Sequence, residues 1–356
     1  MTATDLPAKP YSTASSEAPI TSLSTRDSSL DKSFAEIDWQ VPWLAHLQQL
    51  DYISNAIAQL GGANAEGFNN AEGSHEAEGS NEAEGSNEAK PKSRPDVIAK
   101  VLNKALNQQS EHLQSQLPTT KSTQNNQAHA LNFVSQEALS EGEAYESFIG
   151  TSGKIPTRDN LHDLFNGSIW LTFPKTKALL NYYHMVEIAQ QGIGASRGRV
   201  RDTITVFDEN GAVLVTSEPR IGEALINFDW QASLIEPRAQ WDNPQQLNSQ
   251  SRAAVYVFGH ALLEQLIKPR KPLCAHSIVI LVPQDFFALP LSARMVYLDG
   301  KIAQYMDKLL SQDNVTPRQL APLPILGVPH FWAENADMSF YEDNYVFRHG
   351  RRQKKK

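Results

Sequence analysis

Apolar positions recur with a helical period through most of the second half of the chain. This pattern predicts a helix near residues 141–148, a helix that carries His162 and a third one through about residue 191. Further helical stretches are expected near 221–234, 252–267 and 292–310. Pro156 and Thr157 open the helix that carries His162. The Phe173-Pro174 step ends it, because the residue before a proline is pushed out of the helical region, and Pro174 suits the first turn of the next helix.

Strand signals are fewer. Residues 200–216 read as two β-branched runs around the sequence DENG, in which Asn-Gly favours a tight turn, so a β-hairpin is predicted there. Residues 277–282 form a short apolar run that is typical of a buried strand. Together these patterns predict an α+β fold: a mostly helical single domain with a small, mainly antiparallel sheet that includes the 200–216 hairpin.

The remaining segments lack apolar periodicity. Residues 1–33 are rich in Ser, Thr and Ala, and residues 61–130 in Gly, Asn, Glu, Gln and Lys, so both are predicted to be disordered, with a weak helix near 97–115. Residues 65–88 are four hexads of the AEGSNE type, with no apolar residue after Phe68 to build a β-helix, so a low-complexity linker is expected. The predicted folded domain is residues 34–60 plus 131–348, followed by a basic tail at 349–356.

The net charge of −8 is concentrated in the linker. Residues 65–89 carry seven Glu and no other charged residue, so the rest of the chain is close to neutral. A near-neutral domain has no overall field to attract nucleic acid or a membrane surface, and the basic tail is expected to be solvated. The single Cys274 excludes an intramolecular disulfide and a cysteine-built zinc site, and a buried, inert thiol is expected. No secretory signal or membrane-spanning run is visible, which favours a cytoplasmic location.

Candidate chemistry is densest in the sequence HDLFNGSIW at 162–170. At 100° per residue, His162, Asp163, Asn166, Trp170 and Asp159 share one face of a helix, while the apolar residues pack on the opposite arc. Such a face could bind a metal ion or a polar ligand. The alternative is a solvated face with a capping Asp near the start of the helix.

Three further positions carry ionisable or amide groups. On the predicted strand, Asp202 alternates with apolar residues and should point inward, where a carboxylate needs a partner, whereas Asp208 should lie in the exposed turn. His260 and Glu264 have the i, i+4 spacing that allows a shared metal ion or a plain surface contact. Asn181 and His184 form a weaker pair of the same kind.

Several motifs occur together in one order: HDLFNGSIWLTFPKTKALLN, RGRVRDTITVFDENGA, FGHALLEQLIKP, PLPILGVP and FYEDNYVFR. In this order they resemble the bacterial family of unknown function DUF3025, over about residues 140–348 with 38–60 as the N-terminal part. The resemblance implies that these motifs belong to one domain. It supplies no activity, cofactor or catalytic residue.

The sequence therefore suggests one polar pocket. Its catalytic candidates are His162, Asp163, Asp202, His260 and Glu264. Its ligand-binding candidates are Asn166, Trp170, Asn181 and His184. A small-molecule or metal-assisted hydrolytic enzyme is the leading hypothesis, with a divalent metal ion as the candidate cofactor. The alternative is a non-enzymatic binding or scaffold protein whose polar motifs hold helices together. No partner is indicated beyond the weak nucleic-acid signal of the tail, and no membrane.

Overall fold

A computed structural model describes residues 32–66, 96–116, 131–191 and 198–350. The N-terminal segment to residue 31, the hexads from residue 67 onward and the tail after residue 350 lie outside the described residues. The predictions that the N-terminal segment is disordered, that the hexads form a linker and that the tail is solvated therefore stay predictions.

Helices dominate the described residues. They are α1 (Leu50–Glu66), α2 (Val97–Gln116), α3 (Tyr145–Ser152), α4 (Leu161–Thr172), α5 (Pro174–Gln191), α6 (Arg199–Asn210), α7 (Pro219–Ile226), α8 (His260–Gln265) and α9 (Leu291–Leu310). The strands are β1 (Asn132–Ser135), β2 (Lys154–Thr157), β3 (Gly211–Thr216), β4 (Ala253–Val257), β5 (Cys274–Leu281) and β6 (Ala321–Pro324).

The main sheet has the order β4-β3-β5-β6, and β1 pairs with β2 in a separate parallel ribbon. β3 lies antiparallel to β4 but parallel to β5, and β5 lies antiparallel to β6. Every residue of β3 and β4 is buried, so these two strands form the centre of the core. The α+β fold class is confirmed, and the main sheet is mixed, with two antiparallel pairings and one parallel pairing.

The predicted hairpin at 200–216 is wrong. Residues 199–210 form α6, whose Thr203, Ile204 and Phe207 are buried at helical spacing. Tertiary packing of this face overrides the strand propensity of its β-branched residues. Gly211 does not make a turn with positive φ, because its φ is −76°. A Cβ there would lie 2.2 Å from the carbonyl oxygen of Phe207, so the glycine permits a close approach.

This correction reverses the expectation for two aspartates. Asp202 lies in the first turn of α6 and is exposed to solvent. Asp208, expected in an open turn, lies in the last turn of the same helix, and its side chain is only 24% exposed. The inward-facing carboxylate that the pattern assigned to Asp202 is therefore supplied by Asp208.

The helix expected over 252–267 is also shorter than predicted. Residues 253–257 are the buried strand β4, and α8 begins only at His260. Gly259 sits between them, where an added Cβ would lie 2.4 Å from the backbone nitrogen of Gly211. The two glycines let the start of α8 cross the end of α6 in direct contact, which brings His260 next to Asp208 and Glu209.

The region 61–130 contains a core element. α2 buries Ile98, Leu102 and Ala105, each with no measurable exposure, against α4 and β1. An added Cβ on Gly167 of α4 would lie 2.2 Å from Leu102 Cδ1, so the two helices are in close contact. The helix expected near 97–115 is therefore present as α2, but the expectation of disorder is wrong for it, because the apolar stripe of residues 98–105 packs in the core.

The edge of the main sheet holds two further features that the sequence analysis addressed. Cys274 is exposed as a residue, contrary to expectation, but burial of its thiol raises the pKa to about 11, so the thiol stays protonated. The proline-rich segment beginning at residue 322 is structural, because β6 pairs with β5 and Ile325, Leu326 and Val328 are buried.

No described helix is both long and apolar enough to cross a membrane. The cytoplasmic location expected from the sequence stays a prediction.

Candidate metal centre

A polar cavity of about 370 Å³ lies where α3, α4, α5, α6 and α8 meet. Each helix contributes side chains to its wall, so the cavity depends on tertiary packing rather than on one motif. Among the residues that line it are Tyr145, Glu146, Arg158, His162, Asp163, Asn166, Trp170, Lys177, Asn181, His184, Asp208, Glu209 and His260.

His162 is oriented by a carboxylate on a different helix. Its Nδ1 lies 3.0 Å from Oε2 of Glu264, and the two side chains are 33% and 41% exposed. An ionised carboxylate only accepts hydrogen bonds, so Nδ1 carries a proton, and in the neutral ring Nε2 then presents its lone pair. Glu264 thereby turns the free nitrogen of His162 towards the cavity.

His260 faces His162 from the first turn of α8. The two Nε2 atoms are 3.0 Å apart, and the rings meet edge to face with centroids 4.4 Å apart. His260 is only 4% exposed, and burial lowers its pKa to about 4, so the ring is neutral at physiological pH. Its Nδ1 is buried without a hydrogen-bond partner among the described residues, although Oδ2 of Asp208 lies 3.8 Å away.

Glu209 supplies a carboxylate on the same side. Its Oε2 lies 3.6 Å from Nε2 of His260, and its side chain is 36% exposed. Burial raises the pKa of Glu209, an effect that the His162 ring partly offsets. One atom each from His162, Glu209 and His260 lies within 4.8 Å of the other two, an arrangement that could hold a metal ion.

Asp208 and Lys177 form a buried ion pair beside these residues. Nζ of Lys177 donates to Oδ1 of Asp208 at 2.6 Å and to Oδ1 of Asn166 at 2.9 Å, and it lies 5.5 Å from the ring centroid of Trp170. Burial acts to raise the pKa of Asp208, but the Lys177 ammonium, with smaller contributions from His260 and His184, more than offsets it and holds that pKa below its usual value. Asp208 therefore stays ionised behind His260.

Asp163 has a structural role at the cavity rim. Its carboxylate accepts the Nε and Nη2 hydrogens of Arg158 at 3.0 and 2.9 Å and the Arg158 backbone N–H at 2.7 Å. Its own backbone N–H donates to the side chain of Asn160, which caps α4. With these contacts Asp163 positions the start of α4. Asp159, expected on the same face, instead accepts the backbone N–H of Ile98 at the start of α2.

α5 supplies one wall of the cavity. Asn181 and His184 line it, one and two helical turns beyond Lys177. Burial lowers the pKa of His184, and its Nδ1 is buried with no hydrogen-bond partner among the described residues. The start of α5 is held in place by Asp299, whose buried carboxylate accepts the backbone N–H groups of Lys175 and Thr176.

Eight of the nine sequence-predicted residues lie at this cavity or contact a residue that lines it. His162, Asp163, Asn166, Trp170, Asn181, His184 and His260 line it, and Glu264 binds His162. Asp202 does not, because the turn that was to aim it inward is a helix. The sequence analysis missed Glu209, Asp208 and Lys177 as site residues. A helical reading of residues 199–210 would have placed Ile204 and Asp208 on one face, four residues apart.

The donor set fits a divalent transition metal. Ligands at about 2.0–2.2 Å around a tetrahedral ion are separated by roughly 3.4 Å from one another. The observed separations of 3.0 Å between the two Nε2 atoms and 3.6 Å to Glu209 bracket that value. The carboxylate of Glu264 behind Nδ1 of His162 is the outer partner that a metal-binding histidine usually has. Two imidazoles and one carboxylate leave coordination positions open to the cavity.

Comparison with known proteins gives a family without an assigned activity. No curated protein and no solved structure matches the chain. The family model described as "Protein of unknown function (DUF3025)" matches residues 131–351, which is more than half of the chain and includes every residue of the cavity named above. The chain therefore belongs to the DUF3025 family.

Proposed function

We propose that this protein is a divalent-metal-dependent hydrolase that acts on a small polar substrate. The ion would be held by His162, His260 and Glu209. The observation that carries the proposal is the pair of Nε2 atoms facing each other at 3.0 Å, with a carboxylate behind Nδ1 of each ring.

The protonation states of the two rings support this assignment. Glu264 keeps the proton of His162 on Nδ1, so Nε2 of His162 is an acceptor. Without an ion and with a neutral His162 ring, Nε2 of His260 donates to it, and then the buried Nδ1 of His260 points a lone pair at the ionised Asp208. With an ion between the two Nε2 atoms, Nδ1 of His260 carries the proton and faces a carboxylate that can accept it. The second state removes an unfavourable contact that the first contains.

The cavity supports a hydrolytic role for that ion. A divalent ion with open positions lowers the pKa of a coordinated water and polarises the bond to be cleaved. A volume of about 370 Å³ accommodates a small molecule. Asn181 and His184, on the same α5 wall as Lys177, offer an amide and a neutral imidazole to orient polar groups of the substrate. Arg158 is held by Asp163 at the rim, where its charge is already paired.

Metal binding provides the direct test. Titration of the chelator-treated full chain with Zn²⁺, Mn²⁺ and Fe²⁺ by calorimetry should give one ion per chain. His162→Ala, His260→Ala and Glu209→Gln should each weaken binding by about tenfold or more, since ligands and their orienting partners contribute on that scale. Asp202→Asn is the matched control on the same helix as Glu209, and His330→Asn removes an exposed histidine that lines another pocket. Both controls should bind normally.

Hydrolysis separates the enzyme from a metal-binding scaffold. The metal-loaded protein is assayed with chromogenic carboxylic esters, phosphomonoesters, phosphodiesters and amides. Turnover of one class that is lost in His260→Ala and retained in Asp202→Asn supports the hydrolase. Stoichiometric binding with no turnover of any class would favour the alternative, a non-enzymatic metal-binding protein. No binding of any of the three ions, or equal binding by His260→Ala, would refute the metal centre.

A further inference from the structure

A chain of hydrogen bonds runs along the wall of the metal-centre cavity and ends at a tyrosine. It begins at Asp208, whose Oδ1 accepts a hydrogen bond from Nζ of Lys177 at 2.6 Å, and the same Nζ donates to Oδ1 of Asn166 at 2.9 Å. Nδ2 of Asn166 then donates to the hydroxyl oxygen of Tyr145, the first residue of α3, at 3.2 Å. The chain of bonds therefore connects α6, α5, α4 and α3.

The ammonium group of Lys177 decides the direction of every bond in this chain. Because an ammonium group only donates, the Asn166 atom that faces it is the carbonyl oxygen, and the amide nitrogen is left to face Tyr145. That nitrogen also only donates, so the hydroxyl oxygen of Tyr145 accepts. The hydroxyl hydrogen of Tyr145 is consequently free for another acceptor, and no residue within the described ranges accepts it.

A ligand in the cavity can accept this hydrogen. Tyr145 lines the same cavity as the three proposed metal ligands. Asn166, which holds the hydroxyl, follows His162 by four residues on α4, a rise of about 6 Å along the helix axis. Burial, and after it the Asp163 carboxylate, raises the pKa of Tyr145 above its usual value. The hydroxyl therefore keeps its proton at neutral pH and serves as a donor rather than as a base.

The charges around the cavity restrict the class of substrate. Arg158 and Lys177 line it, and each is already paired with an aspartate. Two further carboxylates, those of Glu146 and Glu209, line it and form no salt bridge with a described Lys or Arg. A divalent ion would offset these two carboxylates, so the loaded cavity has no excess of positive charge. A phosphate dianion would find no unpaired Lys or Arg in the described lining, whereas an uncharged substrate needs none.

We propose that the substrate of the metal centre is an uncharged carboxylic ester or amide, and that Tyr145 donates a hydrogen bond to its carbonyl oxygen during hydrolysis. This inference rests on the proposed metal-dependent hydrolase and names the bond that it cleaves. The carbonyl group provides the acceptor that the hydroxyl of Tyr145 lacks. One oriented, neutral donor suits a reaction in which negative charge develops on a single oxygen.

The reaction is the addition of water to the carbonyl carbon, followed by loss of the amine or alcohol. A C–O bond forms, and the π electron pair of the carbonyl group moves onto its oxygen. The charge that develops there strengthens the hydrogen bond from Tyr145, and a donor already held in place needs no reorganisation. When the carbonyl group forms again, the bond to the amine or alcohol breaks, and that group leaves with a proton released by the water. Tyr145 keeps its own proton throughout.

Kinetics of Tyr145→Phe test the donor role, because this change removes the hydroxyl and keeps the ring. The metal-loaded full chain is assayed with para-nitrophenyl esters and para-nitroanilides of short carboxylic acids. We expect kcat to fall by about 100-fold with little change in KM, as for the loss of a donor to a developing oxyanion. Tyr182→Phe, at an exposed position of α5, is the matched control and should retain the kcat of the unmodified chain. Both variants should bind the metal ion normally by calorimetry.

A binding measurement gives a second readout that does not depend on turnover. Phenylboronic acid adds water to form a tetrahedral boronate, which resembles the species formed when water adds to a carbonyl group. Calorimetry should show that metal-loaded Tyr145→Phe binds it about tenfold or more weakly than the unmodified chain and Tyr182→Phe do. The same affinity in all three proteins, or no binding to any of them, would contradict the donor role.

Failure of this inference can be told apart from failure of the metal centre. Equal kcat in Tyr145→Phe and Tyr182→Phe would overturn the donor role. Turnover of para-nitrophenyl phosphate, with none of the carboxylic substrates cleaved, would overturn the substrate class. Both results would leave a metal-dependent hydrolase in place. If the unmodified chain binds no ion, the proposed function fails before any variant of Tyr145 is made, and the inference fails with it.

Discussion

Two buried clusters of charged residues in this protein are built in opposite ways. In the first, Arg294 has no measurable exposure, and its guanidinium donates to Asp242, to the backbone oxygens of Leu289 and Phe287, and to the hydroxyl of Tyr256. Asp242 in turn accepts hydrogen bonds from residues 248 and 251. The charges are fully paired.

The second cluster surrounds the His162–His260 contact. Its side chains are partly exposed to a cavity, its His260 has a buried nitrogen with no hydrogen-bond partner in the described part of the chain, and burial raises the pKa of Glu209. A buried network with every group satisfied stabilises one conformation, while a network that leaves groups unsatisfied beside a cavity has chemistry left for a ligand. The contrast explains why we assign structure to the first cluster and function to the second.

The largest expected loss of stability comes from a substitution in the fully paired cluster of Arg294 and Asp242. Asp242→Ala leaves the buried Arg294 charge without its carboxylate, which should cost about 3–5 kcal/mol in the free energy of unfolding. Urea unfolding at neutral pH measures it. The matched comparison is Asp202→Ala on the exposed first turn of α6, for which we expect a change within about 0.5 kcal/mol. Comparable small losses at both positions would show that the Arg294 pair is not the structural element we infer.

An intermediate loss of stability is expected on acidification, because a buried histidine near the paired cluster resists protonation in the folded chain. His46 is 3% exposed, donates from Nε2 to the backbone oxygen of Val257 at 2.8 Å, and packs against the ring of Tyr256. Burial lowers its pKa from 6.5 to about 4. Between these values the unfolded chain binds a proton that the folded chain does not, so stability should fall as pH decreases from about 6.5 to about 4.

His46→Gln measures that contribution. The amide keeps a donor for Val257 but does not titrate, so the variant should lose less stability than the unmodified chain between pH 7 and pH 4.5. The difference should be on the order of 2 kcal/mol, from a shift of this size. His349→Gln, an exposed position, is the control and should follow the unmodified chain. An identical pH dependence in His46→Gln and the unmodified chain would place the acid sensitivity elsewhere.

The smallest expected effect is a gain in stability rather than a loss. Burial raises the pKa of Glu209, so its ionised form is disfavoured in the folded chain at neutral pH. Glu209→Gln in the metal-free protein should therefore be slightly more stable, with a melting temperature equal to or above that of the unmodified chain. Addition of the preferred metal ion should reverse the order, because only the unmodified chain retains all three ligands. A clear loss of stability in metal-free Glu209→Gln would mean that the second cluster is structural after all.

Local patterns were sufficient to predict several elements. The Phe173-Pro174 break, the polar face of α4 and the apolar stripe of α9 depend on near neighbours in sequence, and the structure has α5 and α9 close to the predicted positions. α4 begins at Leu161 rather than at Pro156, because Lys154–Thr157 forms the strand β2. The sequence analysis grouped the polar helix faces that carry His162 and His260 into one predicted pocket, and both residues line the same cavity. The metal role itself stays a proposal.

The errors share one cause. In α6, the β-branched residues and the Asn-Gly pair favour a hairpin locally, but burial of Ile204 and Phe207 in the core selects the helix. In α2, a narrow apolar stripe within a polar segment is stabilised by its contact with Gly167 of α4, which no local pattern reveals.

What the sequence determined by itself is the set of groups available: the histidines and amides of α4 and α5, the His260–Glu264 spacing, the basic end of the chain and the mostly helical α+β class. The tertiary structure alone decided which carboxylates join them. Gly211 and Gly259 allow α6 and α8 to cross in contact, and this crossing places Asp208 and Glu209 beside His260 while Asp202 stays in solvent. The physical reason is that side-chain periodicity depends on the secondary structure, and at residues 199–210 only core packing distant in sequence decides between a helix and a strand.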